Sequence, residues 1–257
     1  MNETLVDEFI KQYPLVDSEW KLPGIVLFYL IFVSYLGPKF MKKRKPIKIV
    51  KHIIPFYNIL QIFLNSWFIY DTYFDQKLHD YVLRNVCGNN PEVELEIRKK
   101  FVLYGYFWCL IKATDLIDTV FFILLKKMSH VSFLHVYHHS TTMLIAYVIF
   151  KYLRTEQNAV YAVINTGIHV IMYTYYLITS LGFKTRYKKL VTIMQLIQFL
   201  SFTLMTAGLL FCQSIPKYYL FSGYSLFQCM MYIYLFKKFY YKTYTTSNIP
   251  INNSKQD

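Results

Sequence analysis

This chain is poor in acid and in cysteine. Against 28 lysines and arginines stand only 15 aspartates and glutamates, leaving a formal net charge of +13. A basic excess can mark a nucleic-acid binder, but the placement of the charges, set out below, accounts for it without such a partner. Of the four cysteines, Cys109 and Cys229 fall inside hydrophobic runs and read as small buried hydrophobes. That leaves at most one disulfide, with Cys87 and Cys212 as its candidates. A cleavable signal peptide is also missing: the N-terminal stretch MNETLVDEFIKQYPLVDSEW is acidic and has no uninterrupted apolar core. The first hydrophobic run is then expected to serve as its own insertion signal. With no internal repeat and no long linker, one domain is expected.

What the chain does have is hydrophobicity. It is 55% hydrophobic and 19% aromatic. Runs near the ~20 residues that span a bilayer number seven, at about 22–40, 53–74, 100–125, 131–151, 158–181, 189–212 and 217–237. The expected class is all-α: a polytopic membrane protein whose seven transmembrane helices enclose a cytosol-facing pocket. The seven-helix domain covers 1–243, and a flexible tail at 244–257 follows, where hydrophobicity falls away around Pro250. Seventeen of the 28 basic residues lie in alternate loops, seven of them between Lys39 and Lys51; ten lie on the opposite side, and Lys112 sits within a helix. The positive-inside rule puts the basic side in the cytosol, the N-terminus in the lumen and the C-terminus in the cytosol. Asn2-Glu3-Thr4 is then a lumenal glycosylation acceptor, and Cys87 and Cys212 both fall at lumenal helix ends. The longest polar insertion, about 75–99, is also lumenal and reads as a structured cap or a short amphipathic segment.

Four consecutive runs carry polar residues at helical spacing. The third has Lys112, Asp115, Asp118 and Thr119; the fourth His135, His138 and His139; the fifth Asn165, His169, Tyr173 and Tyr176; the sixth Thr192, Gln195 and Gln198. Turned toward lipid, each stripe would leave unpaired polar groups in hydrocarbon at a cost of several kcal/mol. The stripes should therefore face one another. At ~1.5 Å rise per residue, His138 lies about 12 Å from the loop at 126–130, and Asp115 and His169 lie about 15–20 Å from their cytosolic helix ends. The stripes meet in the cytosolic half of the membrane, with apolar helix on the lumenal side. That shape suits a molecule with a polar head and a greasy tail. Taken singly, some stripes have plainer readings: Lys112 with Asp115 as a structural ion pair, Thr192 and Gln195 as interhelical hydrogen-bonding glue, the tyrosines as interfacial packing. His52, His79 and His130 lie at helix or loop edges. Three imidazoles on one helical face have no such plain reading, and ionisable groups at this depth mark function.

Imidazole binds metals, moves protons or attacks carbonyls. HxxHH also occurs in membrane di-iron desaturases, which resemble one another in carrying about eight histidines over three boxes. Of the seven histidines here, four remain once the edge positions are removed, so a di-iron centre is undersupplied, while a mononuclear site stays arithmetically open. A nucleophile or base fits better: a neutral imidazole in a desolvated pocket keeps its lone pair available near neutral pH. Lys112 and the amides of Asn165 and Gln195 are placed to hold an anion or an enolate oxygen. A seven-helix receptor would share the count and orientation, but the histidine cluster has no purpose in one.

The motif LHVYHH, with His135, His138 and His139, resembles the histidine box of the ELO family, the membrane condensing enzymes of very-long-chain fatty acid elongation. Three further motifs agree, in the family's order: Lys112-x-x-Asp115-x-x-Asp118-Thr119 followed by VFFILLKK, Asn165-x-x-x-His169-x-x-Met172-Tyr173-x-Tyr175-Tyr176, and Thr192-x-x-Gln195-x-x-Gln198. The early LGPKFMKKRKP, with Asn58 following, is similar too. The resemblance implies a decarboxylative condensation of long-chain acyl-CoA with malonyl-CoA to 3-oxoacyl-CoA, CO2 and CoA. By motif position His138 takes the acyl group as an acyl-imidazole, His169 assists decarboxylation or proton transfer, and His135 and His139 orient the site. It implies no redox cofactor and no metal, a multi-pass place in the endoplasmic reticulum membrane, and contact with the reductases and dehydratase of the elongation cycle; a homodimer is left open. Two positions depart from the family pattern: Asp115 where Glu is usual, and His130 where many relatives have Gln.

Overall fold

The computed structural model of the chain describes residues 8–84, 95–153, 157–212 and 216–245. Among them every regular element is helical: α1 (Lys21–Met41), α2 (Val50–Phe74), α3 (Gln76–Arg84), α4 (Leu95–Asp115), α5 (Ile117–Leu124), α6 (Phe133–Val148, continued by a π-helical turn Ile149–Leu153), α7 (Gln157–Ser180), α8 (Lys188–Cys212) and α9 (Pro216–Tyr244). Asn2, Cys87 and the tail beyond Thr245 lie outside the described residues, as does the Cys212 side chain. The expected glycosylation and disulfide sites therefore fall outside them. Cys109 and Cys229 are buried free thiols, as expected of small core hydrophobes.

The packing closes a ring. The most extensive pairing is α2 with α7; α7 then packs on α8, α8 on α9, α9 on α6, α6 on α4 and α4 back on α2. Six helices enclose the interior, and α1 lies outside against α6. Gly37 permits a close approach of α1 to α5, since a Cβ there would sit 3.0 Å from the Ile123 side chain. The polarity is inverted relative to a water-soluble protein. Asn58, Gln61, Asn65, Lys112, Asp115 and Thr119 are buried, whereas Phe28, Phe63 and Leu204 are each more than half exposed. A greasy outside around a polar inside is what a hydrocarbon solvent selects.

Among the described residues three helices are long and apolar enough to cross a membrane by length and composition: Lys21–Met41, Val50–Phe74 and Lys188–Phe211. The helices that carry most of the ionisable residues do not pass that measure. α6 has only 16 residues before its π-helical turn, and interior-facing polar side chains lower the hydropathy of the others.

The expected single helix over 100–125 is broken at Leu116, whose N–H bonds the Ala113 carbonyl at 3.3 Å, a tight three-residue step. Tyr57 of α2 donates to the Thr114 carbonyl at 3.0 Å, giving a partner to a backbone group next to the break. At the far end of α5, Lys126 adopts φ 57°, and the N–H groups of Lys126 and Lys127 bond Ile123 and Phe122 carbonyls in a Schellman cap. A left-handed lysine is strained by about 1 kcal/mol. Lys126→Gly is therefore expected to raise the thermal unfolding temperature in detergent; a lowered one would show that the side chain matters more than the backbone.

The polar insertion does fold in part as an amphipathic segment. α3 turns Leu78 and Val82 inward. Asp75 caps its start by accepting from the Leu78 N–H at 3.2 Å, and pairs with Lys100 of α4 at 2.6 Å.

Candidate active site

Local signals place the histidines. Ser132 is the N-cap of α6: its hydroxyl accepts from the His135 N–H at 3.2 Å, fixing the helix start one turn before the cluster. From there the spacing brings His135 and His139 together, rings 4.2 Å apart, with His138 5.5 Å from His139. His135 Nε2 meets the Thr119 hydroxyl at 2.9 Å, and that hydroxyl meets Tyr29 OH of α1 at 2.7 Å. This histidine is thus anchored through α5 to α1. His138 is only partly buried, in an aromatic wall of Tyr232 (5.2 Å), Phe199 (6.1 Å) and Phe236 (6.2 Å). Tyr232 is itself held by Thr141 at 2.7 Å.

A second cluster joins α2, α4, α5 and α7. Lys112 Nζ lies 2.9 Å from Asp115 Oδ2 and 3.5 Å from both ring nitrogens of His169. His169 Nδ1 is 3.5 Å from the same carboxylate oxygen. The other oxygen, Asp115 Oδ1, accepts from Tyr173 OH at 3.0 Å and from Gln61 Nε2 at 3.1 Å. Tyr173 OH also lies 2.8 Å from Asp118 Oδ2. One phenol proton thus faces two carboxylates, and Lys112 supplies the positive charge beside one of them. All six groups are buried, so the network is insulated from water.

The two clusters meet across a cavity of about 110 Å³ inside the helix ring. His138, Lys112, Asn165 and Gln198 line it, with Trp108 and Thr142 below. Gln198 Nε2 is buried with no hydrogen-bond partner among the described residues. An open amide donor beside an imidazole and an ammonium is a setting for an oxygen that becomes negative. No group of three or more His, Cys, Asp or Glu side chains among the described residues is arranged to hold a metal ion.

Other expected residues lie apart. Gln195 turns to Met172 Sδ at 3.4 Å, and Thr192 bonds the Lys188 carbonyl and Tyr244 OH at the end of the helix. Tyr176 packs on Tyr173 at 5.9 Å without reaching the cavity. His130 is exposed, with its ring 5.0 Å from Phe122. Partial desolvation, then the charges of Lys127 and Lys188, hold it below the usual imidazole value, so it is neutral near pH 7. The residues that sequence reasoning missed sit mainly on α2. Gln61 and Asn65, with Asn58, which the sequence marked only as part of the family resemblance, form a fully buried stripe at offsets of three and seven, the same signal that exposed the other faces.

The GNS1/SUR4 (ELO) family model matches residues 14–250 of the chain. Human very long chain fatty acid elongase 4 is 34% identical over 254 residues, spanning 96% of this chain and 78% of that protein. Mouse very long chain fatty acid elongase 1 is 32% identical, spanning 93% and 86%; Drosophila melanogaster very long chain fatty acid elongase 7 is 31% identical, spanning 93% and 73%. The match takes in both clusters and the cavity between them, and this multi-pass membrane protein belongs to the ELO family.

Proposed function

We propose that the chain is a very-long-chain 3-oxoacyl-CoA synthase, condensing a long-chain acyl-CoA with malonyl-CoA to give 3-oxoacyl-CoA, CO2 and free CoA. The observation that carries this reading is the shared cavity: His138 opens into the space that Lys112 also faces, and Lys112 is fixed by Asp115 and touches His169. A ring nitrogen of His138 attacks the acyl thioester carbonyl, the C–S bond breaks, and CoA leaves as the thiolate, which takes up a proton. Malonyl-CoA then loses CO2, and the resulting enolate carbon attacks the acyl-imidazole. The N–C bond breaks, a C–C bond forms, and the departing His138 nitrogen takes up one proton from solvent, restoring the neutral imidazole that gave its own proton to the CoA thiolate. Lys112, Asn165 and the open Gln198 donor stabilise the enolate oxygen, while His169 assists decarboxylation or proton transfer. His135, anchored to Thr119, and His139 beside it orient the cluster. Gln195 has no direct part. The chemistry balances without a redox cofactor.

In this reading the chain crosses the endoplasmic reticulum membrane seven times, as α1, α2, α4 with α5, α6, α7, α8 and α9, with the N-terminus lumenal and the C-terminus cytosolic. Basic residues of the cytosolic loops draw in the CoA phosphates, and the 3-oxoacyl product passes to the reductases and dehydratase of the cycle. Expression in an elongase-deficient cell, followed by a fatty-acid profile, tests the reading. Restored long-chain species that depend on malonyl-CoA support it. Stoichiometric iron with a need for oxygen and an electron donor would replace it with an oxidase.

A further inference from the structure

A second and larger cavity, about 290 Å³, lies between α2, α3, α4 and α7, lined mainly by apolar groups such as Phe68, Val102, Phe150 and Ala162. It and the cavity at His138 share three lining residues: Trp108, Ile149 and Asn158. On α4 and α6 the lining residues run in order from one space to the other, while on α7 the two linings overlap. On α4, Lys112 is followed one turn back by Trp108 and then by Val102. Past α6, Ile149 stands eleven residues from His138, ~16 Å along the helix, and on α7 Asn158 stands seven residues from Asn165, ~10 Å. The two spaces adjoin at Trp108, Ile149 and Asn158. The chamber at His138 also runs on along α8 and α9 to Leu209 and Phe221, so the apolar annex opens beside its far part, on the side away from the basic 126–130 loop.

We propose that Trp108 is the partition between them and sets the length of the hydrocarbon chain that the protein accepts. The inference rests on the condensing-enzyme reading above. Trp108 is the bulkiest of the three shared residues, and it is buried. Its indole N–H has no hydrogen-bond partner among the described residues. A buried tryptophan kept for its hydrogen bond has one; this ring is held by packing alone, and its bulk is what it contributes. A chain attached at His138 and extended away from the polar cluster meets the indole before it meets the annex. Chains that the chamber holds stay on its side of the ring, and those that outgrow it need the annex behind the indole.

The test uses the purified full chain, malonyl-CoA and saturated acyl-CoAs of graded length, with products read by mass spectrometry. Trp108→Ala is expected to raise the ratio of kcat/KM for longer over shorter acyl-CoAs by at least about tenfold, the scale set by one methylene in an apolar pocket. Ala162→Phe, which fills the annex, is expected to lower the same ratio. An unchanged ratio in Trp108→Ala with turnover retained overturns the partition. Should that variant fail to fold, an unchanged ratio in Ala162→Phe overturns it equally. A wild-type chain that lengthens no acyl-CoA of any length overturns the condensing-enzyme reading, and the partition falls with it.

Discussion

His138→Ala is expected to reduce malonyl-CoA-dependent chain lengthening by at least about a thousandfold, the scale of losing a covalent nucleophile, while the protein still inserts and folds. Folding should survive because of where the ring sits. His138 borders an existing cavity and packs by its edges on Tyr232, Phe199 and Phe236. Truncation enlarges that space and removes none of the ion pairs or hydrogen bonds of the Lys112–Asp115 network. His135→Ala offers the contrast. It strips the Thr119 hydroxyl of one of its two partners, leaving only Tyr29, and unties α6 from that link, so stability and activity should fall together. The half-reaction isolates the step. Incubated with acyl-CoA alone, the wild type should release one CoA per active site and carry the acyl mass on the peptide containing His138. His138→Ala should do neither. A variant that turns over at the wild-type rate would remove His138 from the nucleophile role and return attention to His169.

How far the site is legible from the residues depends on what each feature needs. Three imidazoles in a hydrophobic helix, and a lysine three residues from an aspartate in the run before it, stand out because hydrocarbon penalises each of them unless it faces inward. Asn58, Gln61 and Asn65 obey the same spacing rule, yet amides in a membrane helix read as ordinary glue. Only the contacts of Gln61 with Asp115 and Tyr57 reveal them as a wall of the site. The sixth run shows a different limit. Thr192, Gln195 and Gln198 share a face by spacing, but the stripe is long and its tilt against the ring axis comes from tertiary packing. Gln198 reaches the cavity and Gln195 stops at Met172. The break at Leu116 carries no glycine or proline to announce it, because it is stabilised from another helix through Tyr57. Ring order is equally silent in hydropathy. Nothing in the apolar run of α1 says that it lies outside the six-helix ring, a position tied to Tyr29 reaching Thr119.

Breaking the buried pair from either side should cost about 3–5 kcal/mol of stability, and the two sides should not be equal. In Lys112→Met the Asp115 carboxylate keeps Tyr173 at 3.0 Å and Gln61 at 3.1 Å, so its charge stays hydrogen-bonded and the loss falls toward the lower end. In Asp115→Asn the amide oxygen can still accept from Lys112 but no longer offsets its charge, and the His169 ring stands at 3.5 Å. The new NH2 is left facing Gln61 Nε2 and Tyr173 OH, which donate to that position in the native chain. That loss falls toward the upper end. The double substitution Lys112→Met with Asp115→Leu removes both charges and should recover much of the stability, since a buried pair replaced by apolar groups is often neutral. Chain lengthening should stay absent in all three, because the cation facing the cavity is gone or displaced. Asp115→Glu, which installs the carboxylate usual in the family, probes the geometry directly. Both oxygens of Asp115 are already engaged, one by Lys112 and the other by Tyr173 and Gln61, and an added methylene must push one set away. Thermal unfolding in detergent, run alongside the elongation assay, checks each step. If Asp115→Asn proves milder than Lys112→Met, the carboxylate is not what holds the ammonium at this depth, and the ordering of the cluster around Asp115 is wrong.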